Sequence, residues 1–208
     1  MTADAMAVTL LITGFGPFPG APVNPSGPLA GRLARRRRPA FTDVRLIGHV
    51  FPTRYAAIER ELPALLRHYR PDALLMFGLA GRTPYLRIET RAQNGATTAY
   101  ADADGRKFAT RALTPAAPSE LKVRAPRARL LQAARGSGLP ARLSCDAGRY
   151  LCNALFLRGL EAAALRGGPR VVAFVHVPKL GRGINLAALM RAGEAITFAI
   201  LAAVRRAR

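Results

Sequence analysis

The chain has 208 residues, half of them hydrophobic, enough length and apolar content for one domain with a substantial buried core, predicted to span residues 1–208. Its formal net charge of +20 invites a nucleic-acid reading, but 29 of the 32 basic residues are Arg, scattered except at residues 35–38, as the coding bias of a GC-rich genome would leave them. Without zinc-finger spacing, an RNP-like aromatic pattern or a phosphate-binding glycine loop, that charge is read as solvated surface, with anion binding as the lesser alternative and nucleic acid not an expected partner.

In chain order, VTLLIT at 8–13 is continuous and β-branched, the pattern of a central parallel strand buried on both faces. A helix follows, with Ser26 as its cap and Pro28 in its first turn, weakened by Gly27 and Gly31. Residues 44–51 read as a second strand. Thr53 then opens a helix with Ala57, Ile58, Leu62, Leu65 and Leu66 on one face and a kink expected near Pro63. ALLMFGLAG at 73–81 is a third strand running into a glycine turn, and 85–94 has extended character. Residues 95–125 carry few large apolar side chains and no sustained period, which predicts a long loop or pair of loops. Then come a helix at 126–138, a short strand at 141–144, a helix at 151–166, a strand at 169–177 and a closing helix at 185–206. This alternation predicts a single-domain α/β sandwich, a mostly parallel twisted sheet with helices on both faces.

Only two cysteines occur, Cys145 and Cys152, and neither forms a CxxC pair. Free thiols in a reducing, cytoplasmic setting are the expectation. Three dispersed histidines make no recognisable zinc site, so no metal or cofactor is expected. The first apolar stretch has no basic region before it and breaks at Gly14 and Pro17, so it reads as a strand rather than a signal peptide. Apolar runs of five to eight residues fall short of the roughly 18 that a membrane span requires, and no membrane partner is expected.

The run DAGRYLCN at 146–153 carries the chemistry. It puts Cys152 in the first turn of an apolar helix, with Glu89 63 residues upstream and His176 24 residues downstream. A thiol attacks as its thiolate, and a helix N-terminus with a neighbouring imidazole is the usual way to supply one. All three residues fall at a strand end or a helix start, where α/β sheets gather their sites. Taken singly, each has an ordinary structural explanation: a small core hydrophobe, a hydrogen-bonded strand histidine, an edge carboxylate.

Together they fall in a recognisable pattern. LLITGFGPFPGAPVNPSG resembles the opening of pyroglutamyl peptidase I, also called pyrrolidone carboxyl peptidase. FPT at 51–53, GLAGRTPYLRIETRAQN at 78–94, SCDAGRYLCN at 144–153 and FVHVPKLG at 174–181 resemble further segments of that family in the same order. The resemblance implies a cysteine exopeptidase that removes N-terminal pyroglutamate (5-oxoproline) from peptides, so its partner is a peptide with a blocked N-terminus. It implies Cys152 as nucleophile, His176 as proton carrier and Glu89 as orienting acid. It also implies Phe15 and Phe18 packing on the lactam ring, the backbone of Leu79 bonding the lactam amide, and Asn24 and Thr53 lining or bracing the pocket. Homo-oligomers are common in the family, with the subunit number left open by this sequence.

The chain departs from the family pattern at Leu79, where relatives carry Gln, and at Arg82, where they carry a second glycine. Thr90 and Arg91 replace the pair that follows the glutamate, and the RIPDN run beyond them is missing, with Ala99 in the place of its arginine. Arg87 and Arg91 are the nearest candidates to stand in. The alternative reading is therefore a diverged relative, weakly active or inactive, that binds a small amide or peptide.

Overall fold

Strand alternation decides which side chains reach the site. The computed structural model describes residues 7–18, 20–108, 112–181 and 183–207. Its elements are β1 (Val8–Phe15), α1 (Ser26–Ala34), β2 (Val44–Phe51), α2 (Tyr55–Tyr69), β3 (Ala73–Leu79), β4 (Leu86–Glu89), β5 (Arg91–Gln93), β6 (Glu120–Lys122), α3 (Arg127–Gly136), β7 (Ala141–Ser144), α4 (Leu151–Ala164), β8 (Val171–Val177) and α5 (Leu186–Arg206). Six strands form one sheet in the order β2-β1-β3-β8-β4-β7. The first four run parallel, β4 runs antiparallel to β8, and β7 runs parallel to β4. The fold is the α/β class that the alternation predicts.

Both faces of the sheet are covered, which is why its central strands read as unbroken apolar runs. Val171, Ala173, Val175 and Val177 of β8 point into one core with α1, α3 and α5, while Val172 and Phe174 point into a second core with α2 and α4. The same period of two puts His176 on the α4 side. On β4, Leu86 and Ile88 belong to the first core, so Arg87 and Glu89 lie on the face that His176 shares.

By length and composition α5 is apolar enough to cross a membrane, with a mean hydropathy of 1.6. Its apolar stripe is already used, however: Ile196, Ile200 and Val204 are 0 % exposed in the first core.

Three local expectations change. Ser26 does not cap α1; Pro25 holds that position without a side-chain cap bond, and the Ser26 hydroxyl instead accepts the Phe15 N–H at 3.1 Å and bonds Asn24 Oδ1 at 2.8 Å. Gly14 makes this close approach feasible, since a Cβ there would fall 2.2 Å from the Ser26 carbonyl oxygen. Thr53 lies one residue before Arg54, the N-cap of α2, and α2 continues through Pro63 to Tyr69. The extended stretch at 85–94 is broken at Thr90 into β4 of the main sheet and β5, which pairs with β6 in a separate two-stranded ribbon. β6 lies inside the segment expected as loop; its three residues find a partner only through tertiary contact.

Candidate active site

The junction of β3, β8 and β4, where strand direction reverses, gathers the three residues singled out in the sequence. His176 Nδ1 lies 2.8 Å from Glu89 Oε1, and the two residues are 5 % and 1 % exposed. Cys152, which enters from the first turn of α4, acts on the same imidazole. Gly78 of β3 is in register with His176. A Cβ at Gly78 would sit 2.7 Å from Cys152 Sγ and 2.9 Å from the Phe174 ring, so the absent side chain is what lets the sulfur settle beside the imidazole.

The electrostatics follow from burial and pairing. Burial works against a charged imidazole at His176, but the hydrogen bonds to Cys152 and Glu89, and then their charges, outweigh it and push its pKa up to about 9. Nearby, burial is the largest cause that holds Tyr55 well above the ordinary phenol range and raises Tyr150 as well. They therefore stay neutral beside the sulfur. Glu89 has a second cationic neighbour, since Arg87 Nε lies 3.1 Å from the oxygen that also meets His176. Its other oxygen, Oε2, is buried with no hydrogen-bond partner among the described residues.

The approach to Cys152 is tightly tied. Arg87 donates to Ser144 Oγ at 2.7 Å and to the Asp146 carbonyl, Thr90 Oγ1 to the Ser144 carbonyl at 2.9 Å, and Arg91 Nε to the Cys145 carbonyl at 2.6 Å. Gly148, at φ +78°, turns the chain, and its N–H reaches Asp146 Oδ1 at 2.9 Å. Tyr150, the N-cap of α4, makes no side-chain cap bond to the first turn that carries Cys152. Asn153, buried next to Cys152, donates to the Gln93 and Gly95 carbonyls at 2.7 and 3.0 Å and accepts the Gln93 N–H at 2.8 Å.

Of the remaining predicted site residues, Phe15 ends β1, Leu79 ends β3, and Phe18 and Asn24 lie on the loop after β1. Asn24 Nδ2 donates to the Gly16 carbonyl at 3.0 Å and Thr53 Oγ1 to the Pro17 carbonyl at 3.0 Å, so the loop that carries Phe18 is held from two sides. Phe18 is half-buried. Phe15, 2 % exposed, packs against Phe51 with ring centroids 6.2 Å apart. Leu79 ends β3 opposite Val177, and the Val177 carbonyl accepts the Ala80 N–H at 2.9 Å. Ala99 is exposed and lines a cavity of about 330 Å³ with residues 96–100, Arg149 and Tyr150.

Of the two arginines considered as stand-ins, Arg87 touches Glu89, whereas Arg91 pairs with Glu120 at 2.7 Å. Sequence reading passed over Gly78, Ser144 and Asn153. Asn153 carried a signal, being a polar residue set in an otherwise apolar helix start. No group of three or more His, Cys, Asp or Glu among the described residues is placed to hold a metal ion.

An α/β domain in which a cysteine at a helix start, a strand histidine and a buried glutamate converge has the make-up of a cysteine peptidase. The chain belongs to the pyroglutamyl peptidase family, whose sequence profile matches residues 8–206. The pyrrolidone-carboxylate peptidase of Pyrococcus furiosus is 30 % identical over 182 residues, covering 84 % of this chain and 86 % of the relative. That of Gloeobacter violaceus is 35 % identical over 175 residues, with 82 % of each chain covered. Among solved structures, the pyrrolidone carboxyl peptidase from Thermococcus litoralis matches with a TM-score of 0.88 at 26 % identity, over 97 % of this chain and 96 % of that one.

Proposed function

We propose that this protein is a cysteine exopeptidase that removes N-terminal 5-oxoproline from peptides. The observation that carries the reading is the buried contact of His176 Nδ1 with Glu89 Oε1 at 2.8 Å on an imidazole whose proton affinity Cys152 also raises. Cys152 Sγ attacks the carbonyl carbon that joins the lactam residue to the next amino acid, and His176 takes the thiol proton. The C–N bond of the tetrahedral intermediate breaks as His176 returns that proton to the leaving amine, which leaves a thioester. Water, with its proton taken by His176, then releases 5-oxoproline and restores the thiol. Glu89 fixes the imidazole's orientation and supports its charged form. The uncapped N–H groups at the start of α4 meet the oxyanion.

A pyroglutamyl group has no charged amine, so its pocket needs apolar walls and a few fixed amide partners. Phe18, on a loop braced by Asn24 and Thr53, and the backbone at Leu79 fit that need, with Phe15 behind them. The exposed thiol of Cys145 and the free thiol of Cys152 suit a reducing, cytoplasmic location. In the arginine cluster, Arg36 and Arg38 are engaged with Glu194, which favours a peptide substrate over nucleic acid as the partner.

The test is release of the fluorophore from a pyroglutamyl-coupled amide under reducing conditions. Wild-type protein is expected to release it, and Cys152→Ala and Cys152→Ser to lose release by about 10⁴-fold or more. A wild-type protein that binds the amide without cleaving it points to the diverged relative instead.

A further inference from the structure

Arg87 stands between two parts of the site. It lies on β4 with its Cα paired to that of His176 across the sheet. Its Nε is 3.1 Å from Glu89 Oε1, the oxygen that also lies 2.8 Å from His176 Nδ1. Its NH2 group reaches Ser144 Oγ at 2.7 Å and the Asp146 carbonyl, on the turn that leads into α4. The Arg87 side chain is 22 % exposed and that of Glu89 0 %, so the guanidinium faces the carboxylate from the solvent side.

We propose that Arg87 is a positioning residue: it holds the counter-charge of Glu89 whenever His176 is neutral, and it fastens the Ser144–Asp146 turn to that same carboxylate. The proposal rests on the cysteine-peptidase reading above and adds a residue to it.

The argument is one of charge balance. With a thiolate and an imidazolium in place, Cys152, His176, Glu89 and Arg87 sum to zero. Once His176 has given its proton to the leaving amine and the thioester stands, sulfur and imidazole are both neutral. Glu89 is then a buried carboxylate whose Oε2 has no hydrogen-bond partner among the described residues, and Arg87 is the cation placed to compensate it. Without that cation the carboxylate favours a proton on His176, which removes the base that the attacking water needs. Among the described residues, Cys152 from α4 acts on His176, and the phenols of Tyr55 and Tyr150, with Asp102 near them, act on Cys152. The phenols are neutral and Asp102 adds negative charge, so none of them replaces the guanidinium.

Removing a cation raises every neighbouring proton affinity, which gives the test its sign. Iodoacetamide alkylation of Cys152 is followed against pH in a Cys145→Ser background for Arg87, Arg87→Met and Arg87→Lys, alongside kcat on the pyroglutamyl amide. Arg87→Met is expected to move the alkylation midpoint and the acid limb of kcat upward by about one pH unit. Arg87→Lys, which keeps the charge but loses the fork, is expected to recover most of that shift. Midpoints that stay put overturn the proposal, as does an Arg87→Lys no closer to wild type than Arg87→Met. A uniform loss of rate with unmoved limbs also overturns it, because packing alone would do that. Thermal unfolding checks that each variant folds, and Arg87→Gln replaces Arg87→Met should the latter not fold. Alkylation needs no substrate, so a wild-type protein inactive on the amide would sink the peptidase reading while still deciding the role of Arg87.

Discussion

Glu89 and Glu194 are both buried carboxylates held by arginine, yet the two ends of the molecule hold them differently. Glu194 on α5, 9 % exposed, has Arg36 Nε at 3.2 Å from one oxygen and Arg38 bonded to the other. Burial works against its charge, but the bond to Arg38 and the fields of both arginines prevail and hold it below the usual carboxylate range. That group is saturated and has nothing left to offer. Glu89 receives Arg87 and His176 on one oxygen, and its other oxygen has no hydrogen-bond partner among the described residues. A carboxylate that ties elements together fills its acceptors; one that serves a titrating neighbour keeps its charge shared and its environment sensitive to a single proton.

Three predictions press on this contrast. The largest effect is expected at Glu89→Gln, which keeps the shape and removes the charge. Hydrolysis of the pyroglutamyl amide should fall by about 10²- to 10⁴-fold, in line with loss of the orienting acid in other triads. The pH profile carries the sign. Since Glu89 helps raise His176 to about 9, wild-type kcat/KM should decline as pH rises through about 9 and the imidazolium is lost. In Glu89→Gln that alkaline limb should move down, opposite to the shift expected for Arg87→Met. A Glu89→Gln enzyme with unchanged rate and limb would make the two carboxylates equivalent and break the contrast.

A smaller, complementary effect is expected at Glu194→Gln. Its arginine partners are 44 % and 46 % exposed, so solvent screens the pairs and the loss of stability should be about 1–2 kcal/mol, read as a lower urea midpoint. Hydrolysis should remain within about twofold of wild type. A large loss of rate at unchanged stability would give Glu194 a part in the chemistry that its saturated geometry denies.

Much of this architecture was readable in the sequence, and what was not has a physical reason. Continuous runs such as VTLLIT and VVAFVHV announce buried parallel strands because both faces need apolar cover. Glu89, Cys152 and His176 could be selected because the surrounding motifs are specific. The pairing of Arg87 with His176 could not, since it depends on β4 entering the sheet antiparallel beside β8, and four residues of sequence do not encode direction. The ribbon of β5 and β6 was missed for a related reason: strands of three polar or mixed residues have no period to detect. Ser26 and Thr53 looked like helix caps by local preference, whereas their hydroxyls are spent on the end of β1 and the loop after it, a tertiary use that overrides propensity.

The central claim is that the Cys152 sulfur is activated by the imidazole that Glu89 holds. Site-resolved iodoacetamide labelling of the native protein at neutral pH tests it most directly, with exposed Cys145 as the internal reference. Cys152, although the less exposed of the two, should label faster, and His176→Ala should abolish that advantage. Equal rates for the two cysteines, or a Cys152 rate indifferent to His176, would contradict the account.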